Sequence, residues 1–199
     1  MSTTTYALDE VVLNFVTGGK ILDVGCGLGR WGHLIRVHLQ VEEIESEIIG
    51  IDIEKNYLRK TRYIYDHTVR CDAAYLPFRQ KCFDTVLASA IIEHLPRTKG
   101  LKLISECERT AKKVVIITTP SPRTIWGSPE HISLWKPYEF RRIGYKVFGV
   151  RSYPRLVSTN MLFKLVVAFI TGPLSYWMPL LSSYVVAVKI LQLKVPIPE

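Results

Sequence analysis

The sequence predicts an α/β fold built on a mostly parallel sheet. Short apolar runs bounded by turn residues alternate with segments of helical periodicity, which is typical of such sheets. The first run, residues 20–24, passes through three glycines into a helical segment, as strands do where a parallel sheet binds a ligand. The chain has 199 residues, enough for one domain with a substantial core.

The elements follow from the spacing of the apolar residues. A leading helix is predicted at residues 6–17, and further helices are predicted at 30–40, 55–65, 98–110 and 136–143. Strands are predicted where apolar and β-branched residues concentrate, at 20–24, 47–53, 67–71, 83–88, 112–119, 145–151 and 184–192. The last strand follows a long connection, and the sequence contains no internal repeat.

The glycines of the first turn are the most informative residues. Gly25, Gly27 and Gly29 alternate, and Asp23 stands two residues before the first of them. Glycine lets the backbone approach a ligand closely, and free N–H groups at a helix start attract its negative end. A dinucleotide site expects the third glycine one residue later. The segment therefore predicts a different nucleotide-like pocket; the alternative is a tight turn that only packs helix against strand.

Acids also follow the next two predicted strands. Asp52 lies 23 residues after Gly29, near the offset of a ribose-binding acid, and one carboxylate can accept from two hydroxyls. The alternative for Asp52 is a cap on the following helix. Asp72 follows the third strand, where the alternative is an ordinary turn residue.

Residues 76–95 extend this pattern with Leu-Pro-Phe, then Phe83-Asp84, Ser89 and Glu93-His94-Leu95. Together with the glycine segment they resemble the class I S-adenosylmethionine (SAM)-dependent methyltransferases of type 11, which include quinone-biosynthesis enzymes. The resemblance covers about residues 20–120. The Asn/Asp-Pro-Pro-Tyr motif of DNA and amide-nitrogen methyltransferases is absent, which argues against methylation of a base or of glutamine.

The resemblance implies a Rossmann-like, seven-stranded, mostly parallel sheet with helices on both faces and an antiparallel last strand. It also implies one methyltransferase domain over residues 1–199, with a leading helix in 1–19, a SAM-binding core in 20–120 and a substrate-side segment in 121–199. In such an enzyme Asp23 compensates the ammonium of SAM, Asp52 binds its ribose, and Asp72 and Ala73 bind its adenine. The full set of cofactor-binding residues expected from the motifs is Asp23, Gly25, Cys26, Gly27, Gly29, Asp52, Ile53, Asp72, Ala73 and Ser89.

The substrate side offers candidates for catalysis. His131, Trp135 and Glu139 recur at four-residue spacing, as in the substrate-side segment of the same enzymes. His131 is the first candidate for a general base, and Glu93 and His94 come next. A base is needed only if the acceptor arrives protonated, and the alternative for each residue is structural. The walls of the methyl site are expected from Trp126, Trp135 and Phe78.

Composition narrows the partners. No Cys-x-x-Cys pair occurs among the four cysteines, so no metal site is expected. The net charge is +8, with three Lys/Arg against nine Asp/Glu in residues 1–54 and the opposite excess in the remainder. A basic face attracts nucleic acid, anionic lipid or an acidic substrate, but no aromatic-and-basic module accompanies it, which favours a solvated surface. The scarcity of Asn and Gln indicates a thermophile.

Residues 165–188 contain no charged residue, and the stretch is long enough for a transmembrane helix. However, Gly172-Pro173 and Pro179 interrupt any continuous helix. An apolar insertion is therefore expected at about residues 161–181, and three roles are open: a cover over the active site, a homodimer surface or a membrane-touching patch. Because no N-terminal signal segment is recognisable, a cytoplasmic protein is expected, peripheral to the membrane if the patch touches lipid.

The sequence thus favours a SAM-dependent methyltransferase acting on a small, lipophilic acceptor. Three alternatives stay open: an RNA or protein methyltransferase that uses the basic second half, a non-catalytic SAM-binding protein, and a nicotinamide-dependent Rossmann enzyme, which the glycine spacing disfavours.

Overall fold

The computed structural model describes residues 6–121, 129–150, 176, 179 and 182–192. The helices are α1 (Tyr6–Leu13), α2 (Arg30–Val41), α3 (Lys55–Thr61), α4 (Arg97–Thr110) and α5 (Pro137–Arg142), with a short 3-10 helix at Ile92–His94. The strands are β1 (Gly19–Val24), β2 (Ser46–Asp52), β3 (His67–Arg70), β4 (Phe83–Ser89), β5 (Ala111–Pro120), β6 (Lys146–Val150) and β7 (Tyr184–Ile190).

Within the described residues the seven strands form one sheet in the order β3-β2-β1-β4-β5-β7-β6. Strand β1 pairs in parallel with both β2 and β4, so the strand order reverses beside it. Strand β7 lies antiparallel between β5 and β6. The predicted fold class is therefore confirmed, including the antiparallel last strand. An open sheet of this kind binds its ligands at the carboxyl ends of the strands, where the order reverses.

Two apolar cores cover the two faces of the sheet. Residues of α1, α2 and α3 pack on one face, and residues of α4 and α5 pack on the other. The central strands are apolar on both sides, and Val114, Val115, Ile116 and Ile117 of β5 are all fully buried. Continuous apolar strands of this kind are expected where helices cover both faces of a parallel sheet.

Two helices end earlier than the sequence predicts. The predicted helix 6–17 stops at Leu13, because Thr17 turns to the sheet, where its N–H donates to the Thr85 hydroxyl at 3.0 Å. The predicted helix 55–65 stops at Thr61. There the Arg36 guanidinium holds the Ile64 carbonyl, and Tyr65 points inward to a buried acid. In both cases a tertiary hydrogen bond overrides helical periodicity.

Most of the predicted apolar insertion at 161–181 lies outside the described residues, as does Trp126. Among the helices that the structure describes, none has the length and apolar character needed to span a bilayer.

Candidate functional site

The glycine turn connects β1 to α2 and is fastened to the neighbouring strand. The N–H groups of Gly25 and Cys26 both donate to the Ile51 carbonyl, at 2.9 and 2.8 Å. All three glycines have positive φ, of 73°, 49° and 81° along the chain, which L side chains rarely adopt. A Cβ on Gly25 would lie 2.5 Å from the Ile91 side chain, whereas a Cβ on Gly27 would meet no atom within 4 Å. Gly27 therefore faces open space.

That open space belongs to a cavity of about 480 Å³ at the carboxyl ends of β1, β2 and β4. Its size lies in the range of small-molecule sites. The cavity is lined by Gly25, Gly27, Ile51, Asp52, Ile53, Glu54, Tyr57, Cys71, Asp72, Ala73, Ala90, Ile91, His94, Leu95, Lys99 and Glu130. A larger hollow, of about 780 Å³, lies at the opposite edge of the sheet, around Gly19, Lys20 and Ser46 at the starts of β1 and β2. Those are the amino ends of the strands, where open parallel sheets do not bind their ligands.

Asp52 joins the glycine turn to the end of β2. Its Oδ2 accepts from the Gly27 N–H at 2.9 Å, and its Oδ1 accepts from the Glu54 N–H at 2.8 Å. The N-cap of α3 is Glu54, so Asp52 supports the helix start without being its cap residue. An ionised carboxylate has about four acceptor positions, so two are left for a ligand. Beside it Ile53 exposes 55% of its surface, an apolar side chain on the cavity wall.

Asp72 and Ala73 form the neighbouring wall. The Asp72 Oδ1 accepts from the Ala74 N–H at 2.9 Å, and its Oδ2 pairs with the Lys99 ammonium of α4 at 2.8 Å. The hydrogen bond from Lys99 lowers the pKa of Asp72, so this carboxyl is ionised at neutral pH. Lys99 lines the cavity as well. No sequence pattern points to Lys99, because its contact joins the loop after β3 to α4.

Asp23 lies beneath the glycine turn and is 1% exposed. The Tyr65 hydroxyl donates to its Oδ2 at 2.6 Å. Burial raises the pKa of Asp23 to about 7, and the hydrogen bond from Tyr65 offsets only part of that rise. Tyr65 reaches the acid between two glycines: a Cβ on Gly32 or on Gly50 would lie 2.4 or 2.8 Å from its ring. No motif in the sequence points to Tyr65, because only the fold brings it to Asp23.

Four of the predicted cofactor residues do not line the cavity: Asp23, which lies beneath the turn, and Cys26, Gly29 and Ser89. Cys26 is buried, and burial raises the pKa of its thiol to about 12. The Ser89 hydroxyl is hydrogen-bonded to that of Thr118 at 2.7 Å. Gly29, the N-cap of α2, packs against Ile64 and Thr61, which leave no room for a side chain there. Their predicted roles in cofactor binding stay predictions.

The structure brings the three predicted catalytic residues together. Glu93 and His94 lie in the 3-10 helix after β4, and His131 approaches from the segment before α5. The rings of His94 and His131 are 4.9 Å apart between centroids. Ligand-type atoms of all three side chains lie within 4.8 Å of one another. His94 also lines the cavity, so the cluster borders it.

Glu93 is completely buried, and among the described residues neither of its carboxyl oxygens has a hydrogen-bond partner. Burial raises its pKa to about 7, and the nearby Thr119 hydroxyl opposes this only in part. The Nδ1 of His131 is likewise buried and without a partner in the described part of the chain. Buried polar groups in this state need an explanation.

Trp135 anchors the segment that carries His131. It is 2% exposed, and its Nε1 donates to the Ser133 hydroxyl at 2.9 Å, which donates in turn to the Ile92 carbonyl. Trp135 lies in the core and Phe78 packs against it, and neither lines the cavity, so their role as walls of the methyl site stays a prediction. An indole ring next to a glycine of α4, Gly100, is a core contact.

A seven-stranded sheet of this order, with a glycine turn and two acids around a cavity at its carboxyl edge, defines a protein that binds a nucleoside-containing cofactor. The comparisons with known proteins identify the class. Residues 21–113 match the family model described as a methyltransferase domain. This part of the chain, just under half of its length, is therefore similar to a methyltransferase domain. SAM is the cofactor that the likeness to SAM-dependent methyltransferases implies.

Individual relatives agree with this assignment. A demethylmenaquinone methyltransferase of Staphylococcus saprophyticus is 32% identical over 120 residues, which cover 56% of this chain and 49% of that protein. An uncharacterized protein of Methanocaldococcus jannaschii is 22% identical over 80% of this chain and 68% of its own length. The chain thus matches only about half the length of the bacterial relative. Among solved structures, a SAM-dependent methyltransferase from Archaeoglobus fulgidus superposes with a TM-score of 0.66, at 22% identity, over 92% of this chain and 90% of that one.

The residues of the cavity fit SAM. Gly27 offers backbone with no side chain in the way, and Asp52 keeps unused acceptor positions for a ribose. Ile53 supplies an exposed apolar surface for a base, beside Asp72 and Ala73. The first turn of α2, directly after the glycine turn, has N–H groups without helical partners, which suit a carboxylate.

Proposed function

We propose that this methyltransferase acts on a small, lipophilic acceptor bound beside the Glu93–His94–His131 cluster. The observation that carries the proposal is the shared cavity: its lining includes the glycine turn, Asp52 and Asp72 on the cofactor side and His94 on the cluster side. Bound SAM supplies a methyl group already activated on a sulfonium, so the protein mainly has to place the acceptor.

The residues around the cavity have separate roles in this proposal. Asp52 accepts from the ribose hydroxyls, Asp72 and Ala73 meet the adenine, and Ile53 covers one adenine face. Asp23 compensates the ammonium group through water or directly, since it lies immediately beneath the turn. The glycine N–H groups of the turn already donate within the protein, so those at the start of α2 take the carboxylate.

The cluster is suited to proton removal from an acceptor hydroxyl or acidic carbon. Burial brings the pKa of Glu93 to about 7, where a carboxylate is a useful base at neutral pH. The ligand-type atoms of His131 and His94 lie within 4.8 Å of each other and of the Glu93 carboxyl. The demethylmenaquinone methyltransferase among the relatives supports a small acceptor for this chain too.

The test is transfer from methyl-labelled SAM into fractionated cell extract, with the product identified by mass spectrometry. We expect label in the solvent-extractable, small-molecule fraction. Label confined to RNA or protein would establish the alternative methyltransferase instead, and SAM binding with no labelled product in any fraction would indicate a non-catalytic protein.

A further inference from the structure

The cluster of Glu93, His94 and His131 combines one carboxylate with two imidazoles. Their candidate ligand atoms lie within 4.8 Å of one another. Ligands of a tetrahedral ion are bound at about 2.0–2.2 Å and therefore stand roughly 3–3.5 Å apart. Movements of about 1 Å, within reach of side-chain rotation, would place all three on one ion.

The protonation of the donors suits a cation. The Nδ1 of His94 lies 3.1 Å from the Glu130 carbonyl, which can only accept, so Nδ1 carries the proton and Nε2 presents its lone pair. A histidine that donates its second N–H to a backbone carbonyl is the usual arrangement around a bound metal.

Burial gives the second, independent observation. Both carboxyl oxygens of Glu93 and the Nδ1 of His131 are buried without hydrogen-bond partners among the described residues. Leaving an acid and an imidazole unsatisfied in this way is costly. The Thr119 hydroxyl is also buried and without a hydrogen-bond partner there. A cation between the three side chains would satisfy the unpaired groups.

The backbone holds the three ligands in place. The Glu93 carbonyl accepts from the N–H groups of both Ile132 and Ser133, at 2.9 and 3.0 Å. These bonds join the 3-10 helix directly to the segment that carries His131. The donor set is therefore fixed by main-chain hydrogen bonds on both sides.

We propose that Glu93, His94 and His131 bind a divalent transition-metal ion at the edge of the cofactor cavity. Two imidazoles and a carboxylate suit zinc, cobalt, manganese or iron(II), and three protein ligands leave a coordination position for another molecule. Because His94 lines the cavity, that position is available to an oxygen of the acceptor. While the ion is bound, Glu93 and His131 are its ligands and not bases, so proton removal by these side chains belongs to the metal-free protein. The binding of the acceptor to the ion rests on the proposed function; the binding of the ion does not.

Cobalt(II) binding to tag-free, chelator-treated protein tests the site. We expect one cobalt per chain, seen as visible d–d absorption that one equivalent of zinc abolishes. His131→Ala and Glu93→Gln should each weaken cobalt binding by more than about tenfold, which is the lower end of the range typical of changes around a metal site. The control His67→Ala removes an exposed histidine at the start of β3 and should leave binding unchanged.

SAM binding, measured by calorimetry on the same samples, reports whether each variant is folded and separates the two proposals. Unchanged SAM affinity with lost cobalt binding supports the site. Wild-type protein that binds SAM but no more cobalt than His131→Ala overturns the site and leaves the proposed function standing. If His131→Ala does not bind SAM, the more conservative His131→Asn takes its place, with the same two outcomes.

Discussion

Asp52 connects two parts of the cofactor site through a single side chain. Its carboxylate accepts from the Gly27 N–H in the glycine turn and from the Glu54 N–H at the start of α3. A ligand bound through its remaining acceptor positions would therefore find the turn already in place. The position of Asp52 beside the turn was predictable, because an acid at the end of the strand after a glycine turn is a local pattern; its role in SAM binding stays a prediction.

Asp52→Ala should weaken SAM binding by about 1.5–3 kcal/mol, the range for hydrogen bonds to a charged group. Isothermal titration calorimetry measures this directly. Glu47→Ala is the matched control, since Glu47 lies at the amino end of β2, away from the cavity at the carboxyl ends of the strands. Equal affinity in Asp52→Ala and wild type would remove Asp52 from the site.

Asp23 illustrates a residue whose environment the sequence did not show. Its motif position was evident, but its partner Tyr65 lies on the connection from α3 to β3 and reaches it only because Gly32 and Gly50 have no side chain. The folded-state pKa of about 7 stands above the usual value of 3.8. Asp23 therefore favours the folded state most below about pH 4, and this contribution is lost as the pH rises toward 7.

Asp23→Asn should remove that pH dependence. Between pH 4 and pH 8 the unfolding free energy of wild type should fall relative to Asp23→Asn by roughly 3–4 kcal/mol, from the size of the pKa difference. Urea unfolding across this range, without SAM, measures it. For Asp66, burial raises the pKa but the Ile48 N–H and Arg36 outweigh it and lower the pKa overall. Its contribution to stability is therefore lost only below about pH 4, and Asp66→Asn, as a control, should run nearly parallel to wild type between pH 4 and pH 8. Parallel pH profiles for wild type and Asp23→Asn would contradict this account.

His131→Ala should leave SAM affinity unchanged and slow methyl transfer by about 10²–10⁴-fold, the usual contribution of an acid–base residue. The reason is its position: it lies against His94 and Glu93, while the glycine turn and the acids Asp52 and Asp72 hold the cofactor side. Single-turnover rates with the identified acceptor measure it. Full activity in His131→Ala would assign the residue a structural role.

At the scale of elements, α4 positions the cluster through one small residue. Gly100 admits the Trp135 indole, and a Cβ there would lie 2.4 Å from the ring. Trp135 is fixed by its hydrogen bond to Ser133, which is joined to the 3-10 helix at Ile92. Displacing the ring would therefore move the segment that carries His131.

Gly100→Ala should destabilise the fold by about 1–3 kcal/mol, because overpacking outweighs the gain in helix propensity. It should also reduce activity more than SAM affinity. Ser105→Ala serves as the control, since it also introduces alanine into α4 but at an exposed position, and it should leave the stability unchanged. Chemical denaturation compares the two. A Gly100→Ala variant at least as stable as wild type would show that the indole has room to shift.

Helix and strand positions were largely predictable, since apolar spacing determines them locally. All seven strands lie at or within two residues of the expected bounds. The 3-10 helix Ile92–His94 and the early ends of α1 and α3 were not, because contacts with distant residues such as Thr85 and Asp23 decide them. The cluster of Glu93, His94 and His131 was predicted as three separate candidates, and only the fold shows that they meet.

At the scale of the whole molecule, the order of the strands determines where the ligand binds. The reversal of strand order beside β1 leaves a crevice at the carboxyl ends of the strands, above the glycine turn. On the other side of β1 the antiparallel strand β7 completes the sheet between β5 and β6. The sequence pattern alone indicated alternating elements, and the antiparallel last strand came from the family resemblance. The roles expected for the apolar insertion, as a cover, a dimer surface or a membrane contact, stay predictions.

The central claim is that the cavity binds SAM, and thermal unfolding with added ligands tests it most directly. A ligand at 100 times its Kd stabilises the fold by about 2.7 kcal/mol, which for a chain of this size raises Tm by roughly 5–10 °C. We expect SAM and S-adenosylhomocysteine to raise the Tm of wild type, with a smaller rise for Asp52→Ala, and NAD and NADP to leave it unchanged. A rise with NAD or NADP and none with SAM would contradict the account.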